Sequence, residues 1–563
     1  MKKKDIGLIA GGALGGLYLA GKLRQERQLA ANQRFEEELS GRFYGERQVY
    51  LIGGGIGMLA AAVYLIRDAN FPGKNIHLIE GEPLVGGSHS ATGSNETGFM
   101  VSGPQLLSED AYENFWELFD SIPSLNWVNH SVAEEILAFA GSHPIHPQAR
   151  LVVSNQQIIH SYHMGFESEE RLAITRLLAT SERKLHKLKI SDWFGAHFFE
   201  TNFWVMWSTT FLLQPWSSLL EFRRSLNRRL PLFASLDTLN GVIAAPLNQY
   251  ESLVLPMKSY LEKHHVDFSL NDAVVDLDFE KSSALAVTGL TLSRGTVIQL
   301  QRGDTVLMTN GVAEGSSSGD WSSSPPTVSG EGPSAKLWRR ISRKRQELGN
   351  PEPFFRNERE TSWESFTVTC KGDRLLKRLA AFTGNNAGSG GILTLKESSW
   401  LLSIIAPVQP YFAQQASDVT VFWGYGMRVN VPGDFTQKTM KQSTGEEILY
   451  EWVAQMGWQA DWEAIKEEII NVIPVYMPCA GAALQPRERS DRPAVIPEHS
   501  RNLALISQFV EQSKEVASTQ EYSIRAARMA VYQLFEIEKE VAPVTLRSKE
   551  AQILAQAVHA MFR

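Results

Sequence analysis

Cysteine is scarce, with Cys370 and Cys479 the two present in 563 residues. That excludes a disulfide framework and makes a reducing compartment the simpler setting. Neither cysteine stands in a CxxC or zinc-type spacing and no other metal motif replaces it, so no metal site is expected. The pairs His143/His146 and His264/His265 read as loop or surface histidines. An excess of positive charge is missing too. The 55 Lys and Arg residues against 62 Asp and Glu leave a net charge of −7, without the broad cationic field that nucleic-acid binding needs. No internal repeat at a fixed period is visible. The apolar run from Ile6 to Ala20 is fifteen residues, flanked by Lys2, Lys3 and Lys4 before it and Lys22, Arg24 and Arg27 after it. That is short of the roughly 20 residues that cross a bilayer. It reads as a marginal membrane anchor or a targeting leader, placing the chain in the cytoplasm or peripherally on an intracellular membrane.

What is present is length enough for several lobes and a βαβ unit near the start. In QVYLIGGGIGMLAAAVYLIRDANFPGKNIHLIEGE, Val49 to Ile52 reads as a buried strand, followed by a glycine turn, an Ala-rich helix to about Asp68, and a second strand from Ile76 to Ile79. Gly53 and Gly55 hold the first two positions of a GxGxxG motif, while Met58 stands where the third glycine would. Gly53 suits the tight turn, Gly55 a close approach of backbone amides to a pyrophosphate, and Met58 should push helix and strand slightly apart. Glu80, 25 residues after Gly55, ends the second strand, where a carboxylate accepts hydrogen bonds from an adenosine ribose. An acid there fits FAD or NAD and argues against NADP. Gly86, Gly87 and Ser88 form a second close-approach loop, which points to FAD. The later strands in DTVLMTNG and NLALISQF should return to the same cofactor, so that Asn310, Gly311, Gln508 and Phe509, with Val274 from outside those strands, complete its expected contacts.

The organisation expected from these readings is a leader over 1–46 and a cofactor lobe over 47–130, 263–315 and 489–535. An aromatic-rich substrate lobe covers 131–262 and 335–488, and a helical region covers 536–563. The Ser/Gly/Pro-rich run around 316–334 reads as a flexible surface loop, and Arg339 to Gln346 as a solvated helix face. AQILAQAVHAMF, from Ala551, is amphipathic and suits a docking or dimer helix.

Long and idiosyncratic stretches then carry a resemblance. LAAAVYLIRDANFPGKNIHLIE, FFETNFWVMWSTTFLLQPW, FTGNNAGSGGILTLKESSWLLSI and EYSIRAARMAVY, with shorter matches in the same order from about Val49 to Val541, are similar to the oleate hydratase family, also called myosin-cross-reactive antigens. The resemblance implies an α/β chain with a Rossmann-type two-dinucleotide-binding flavoprotein fold, an inserted α/β substrate lobe and a helical C-terminal piece. It also implies an enzyme that adds water to an isolated cis double bond of a free fatty acid without net redox change, with FAD organising the site.

Three departures from the family pattern concern the chemistry. Where the family has Arg-Gly-Gly-Arg-Glu, with the glutamate positioning water, this chain has Ser102, Gly103, Pro104, Gln105 and Leu106. Ser225 replaces the tyrosine proposed as proton donor in the family's EFRRYxxR, and a serine hydroxyl is shorter and far less acidic than a phenol. Where polar residues are thought to hold the fatty-acid carboxylate, this chain offers Gly481, Ala482 and Ala483. Glu109, Asp110 and Tyr112 are the displaced candidates for the missing groups. The local pattern favours a plainer reading for the two acids, with Ser108 as a helix N-cap and Glu109 and Asp110 in the first turn. Water addition to a fatty acid therefore stands beside three alternatives. These are a repurposed member that isomerises, dehydrates or cyclises another lipid-like or polyketide substrate, an FAD-dependent oxidoreductase, and a lipid binder at a membrane surface.

Overall fold

Strands Val49–Ile52 and Ile76–Ile79 pair in parallel, and the helix Ile56–Arg67 connects them. The bounds of both strands coincide with the sequence expectation, because each is a short, largely apolar run with three of its four residues buried, as suits a parallel strand in the middle of a sheet. The computed structural model describes residues 44–102, 106–153, 156–311, 315–327 and 330–563, so the apolar run from Ile6 to Ala20 lies outside the described residues. Among the described residues no helix is long and apolar enough to cross a membrane.

The parallel sheet has five strands in the order Leu503–Leu505, Thr305–Met308, Val49–Ile52, Ile76–Ile79 and Asp267–Ser269. Strands nearly 200 residues or more apart in the chain thus meet at one edge, and the loops that follow them converge at one end. The helix Gln520–Leu534 packs on Ile56–Arg67, closing that face. The fold is therefore α/β of Rossmann type. A second sheet of eight strands collects segments from 151–159, 317–318, 363–426 and 469–477. Its pairs are antiparallel except Leu393–Leu395 with Leu151–Val153. It forms the wall of the aromatic-rich lobe.

Three expectations need correction. Ser108 is not a helix cap: Leu106–Ser108 is a strand paired with Val242–Ala244, the Glu109 amide continues to the Gly241 carbonyl, and the helix starts at Glu113. The amides of Asn114 and Phe115 at that helix start are satisfied by the carboxylate of Glu521, 2.9 Å away in each case. A remote acid thus does what a local cap would have done. The run around 316–334 is not simply a surface loop, since Ser317–Ser318 adds an edge strand to the larger sheet against Val475 and Tyr476. The region 536–563 is helical chiefly over Ala551–Ala560. That helix docks on its own chain: Arg171 donates to the Met561 carbonyl at 3.0 Å, and Arg563 to the Ala234 carbonyl at 3.0 Å.

Candidate functional site

The first glycine turn is built by contacts that leave no room for side chains. Gly53 has φ +99°, and a Cβ there would overlap Thr309. Gly55 differs: it has φ −70°, and a Cβ would meet nothing within 4 Å, because it faces an open cavity. The close helix packing expected of the motif's third glycine falls instead on Gly57, where a Cβ would lie 2.9 Å from the Ser523 Cβ and 3.1 Å from Ile506. Met58 is wholly buried in the core, so the glycine one position earlier relieves the wedge expected of it. Gly86, in the left-handed region at φ +119°, donates its amide to the Gly54 carbonyl at 2.8 Å and ties the second glycine loop to the first. Glu80 is buried and accepts from the Gly54 amide at 2.5 Å and the Glu82 amide at 2.9 Å, so its carboxylate is fixed at the strand end.

These loops form one end of a cavity of about 500 Å³. Gly53, Gly55, Glu80, Gly86, Gly87, Ser88, Asn310, Gly311 and Gln508 all line it. Val274 and Phe509 are buried and do not. Val274 begins a strand of a separate three-stranded sheet, and Phe509 packs among Trp338, Phe354 and Phe355. Two cavity-lining atoms, Asn310 Oδ1 and Gln508 Oε1, are buried and accept no hydrogen bond among the described residues. Orphaned buried acceptors beside an open glycine cradle fit a ligand that brings hydrogen-bond donors, as a dinucleotide does. His89, at the same end, is pushed down to about 4 by burial and is neutral at neutral pH.

The other end of the cavity is apolar, walled by Trp363, Trp423, Tyr425, Val475 and Met477 from the larger sheet and by Phe211 and Leu232. Leu106 and Ser225, the two family positions, both line it. So do Ala480 and Leu484, whereas Gly481, Ala482 and Ala483 do not. Of the displaced candidates, Glu109 and Asp110 are both exposed; Glu109 does not line the cavity, whereas Asp110 and Tyr112 do. The Tyr112 phenol is buried, donates to Gln520 Oε1 at 3.1 Å, and is raised above its ordinary range by desolvation, with Arg229 opposing.

Two lining residues escaped the sequence reading. Glu221 is fully buried and held as a carboxylate below its ordinary range, because Arg492, Arg224 and Arg487 outweigh desolvation. Its Oε1 is 3.0 Å from Arg492, and its Oε2 accepts no hydrogen bond among the described residues. Arg229 is the other, and the doublet Arg228–Arg229 was its only signal. Arg228 ion-pairs with Glu113 and Glu515, whereas Arg229 points to Ser225, Tyr112 and the Phe211 ring.

The sequence profile of the MCRA family matches residues 46–532. An oleate hydratase of Streptococcus pyogenes serotype M49 (strain NZ131) is 32% identical over 513 residues, covering 88% of this chain and 86% of that protein. A linoleate hydratase of Lactiplantibacillus plantarum is 30% identical over 564 residues, covering 92% of this chain and 99% of that one. A solved oxidoreductase from Methanosarcina mazei superposes with a TM-score of 0.49 at 10% identity, across 86% of this chain and 100% of that structure. With a family match that runs from just before the first strand almost to the end of the helix Gln520–Leu534, the chain belongs to the MCRA family.

Proposed function

We propose that this protein binds FAD and adds water across a carbon–carbon double bond of an unsaturated fatty acid or a similar apolar acid, without net redox change. The observation that carries the reading is one continuous cavity, with fixed glycine amides and Glu80 at one end and an aromatic, apolar hollow at the other, in a member of a family with hydratase relatives. Bound along the glycine loops, a flavin would supply a flat polar wall and, when reduced, negative charge that organises the site.

The residues of the chain do the rest. Trp363, Trp423 and Tyr425 exclude bulk water and shield positive charge developing on carbon. Water addition places a proton on one alkene carbon and the oxygen of water on the other, and the second proton of that water returns to a base. The groups in the hollow that can carry or orient those protons are Asp110, Tyr112 and Glu221. Leu106 and Ser225 favour a second reading, because neither can do acid–base work: the same cavity isomerises or dehydrates a related lipid. Incubating the flavin-reduced protein with oleate in heavy-oxygen water tests the two. A labelled hydroxy acid supports hydration; an unlabelled rearranged product, or none, removes it.

A further inference from the structure

Arg229 is 8% exposed and lines the cavity. Its Nη1 donates to Ser225 Oγ at 3.1 Å, its guanidinium lies 4.1 Å from the centre of the Phe211 ring, and the Tyr112 phenol is close enough to interact with it electrostatically. Among the described residues no carboxylate ion-pairs with it. The acid that acts on it most, Glu515, is committed to Arg228 at 3.1 Å and to Arg525 at 3.3 Å. A buried guanidinium facing an apolar hollow without a directly bonded acid is costly to leave alone. The buried Arg150 shows the usual alternative, with its nitrogens spent on the Ile392 and Leu236 carbonyls.

We infer that Arg229, with the Ser225 hydroxyl and the Tyr112 phenol, seats the carboxylate of the substrate. Phe211 fixes the guanidinium plane, leaving its fork free to meet two carboxylate oxygens. Ser225 supplies a further hydroxyl donor beside it, and Tyr112 adds its own by exchanging its bond to Gln520 Oε1 for the substrate. The inference rests on the proposed function only in taking the substrate to be an apolar acid, and it replaces the anchoring role missing at Gly481, Ala482 and Ala483. It also moves Tyr112 from the double bond to the head group. The same anion chemistry could be offered by reduced flavin. The seat is built by Phe211, Ser225 and Arg229 of the apolar lobe and by no glycine loop, which favours the substrate.

Binding of oleate, methyl oleate and oleyl alcohol to the full-length, flavin-loaded protein, followed by calorimetry below micellar concentrations, tests this. Oleate is expected to bind about 10- to 100-fold more tightly than the two neutral lipids, the range of a lost charge-assisted bond. Arg229→Gln should abolish the gap while leaving oleyl alcohol binding unchanged. Should that variant fail to fold, Ser225→Ala and Tyr112→Phe each narrow the gap several-fold. Equal affinity for acid and ester in the wild type overturns the inference, as does a gap that survives these substitutions. A flavin potential that shifts in Arg229→Gln with the gap intact also overturns it, assigning the guanidinium to the flavin. An Arg229-dependent gap without labelled hydroxy acid would sink hydration and leave the seat standing.

Discussion

The Glu80 carboxylate and the Gly54 amide, 26 residues apart in sequence, share a 2.5 Å hydrogen bond that locks the acid-tipped strand to the glycine turn. One residue therefore both shapes the cradle and faces the cavity. Glu80→Ala is expected to weaken FAD binding by about 10- to 100-fold, the cost of losing a hydrogen bond to a charged group. Flavin fluorescence titration reads this directly, and unchanged affinity would remove Glu80 from the cofactor site.

Gly55 and Gly57 separate binding from folding. Gly55→Ala adds a methyl to open space at an ordinary backbone conformation, so stability should be unchanged or higher by up to about 1 kcal/mol while flavin affinity falls. Gly57→Ala drives a Cβ to 2.9 Å from the Ser523 Cβ, at a packed helix contact, so stability falls with or without flavin. Urea unfolding of the two apoproteins distinguishes them.

Asp110 lines the cavity from an exposed position, and among the described residues no arginine ion-pairs with it. If it orients water, Asp110→Asn should lower kcat for hydration by about 100-fold or more, with oleate affinity kept. Tyr112→Phe should do the opposite, raising KM with a smaller effect on kcat, because the phenol serves the head group. Steady-state kinetics on the two variants reads the split.

Glu364 lies wholly buried on the larger sheet, and neither carboxylate oxygen has a hydrogen-bond partner among the described residues. Burial holds its carboxyl well above the ordinary 4.5, with Lys441 pulling weakly the other way. Below that ordinary value the group is protonated both folded and unfolded, so its ionisation contributes nothing to the pH dependence. As pH rises past it, the unfolded chain releases the proton and the folded one keeps it, so stability declines. Glu364→Met should be more stable than the parent by about 1–4 kcal/mol near pH 8, with the advantage shrinking toward pH 4. Thermal unfolding across that range checks the trend, and a constant difference would contradict it.

The βαβ unit was legible residue by residue because its signals are local: two apolar runs, a glycine turn and an acid at the right spacing. The same was true of the strands holding Leu307 and Ala504, which carry similar runs. Around Ser108 a good local cap pattern lost to tertiary pairing with Val242, and the cap was supplied by Glu521 from a helix some 400 residues away. No local pattern announces a partner that distant. Gly57 was overlooked because the motif's register pointed at Met58, although a glycine adjacent to the vacant position was the available clue. Arg229 was hidden for a related reason. An arginine doublet reads as surface charge until the fold shows that one member is paired with acids and the other is not.

On this reading flavin and an apolar acid share one cavity. The most direct measurement is the visible spectrum of the FAD-loaded protein as oleate is added, for the wild type and for Gly55→Ala. The wild type should hold flavin and show a saturable difference spectrum with oleate, and Gly55→Ala should remain folded but colourless. A wild-type protein that stays colourless with added FAD, or a bound flavin whose spectrum ignores saturating oleate, would contradict the account.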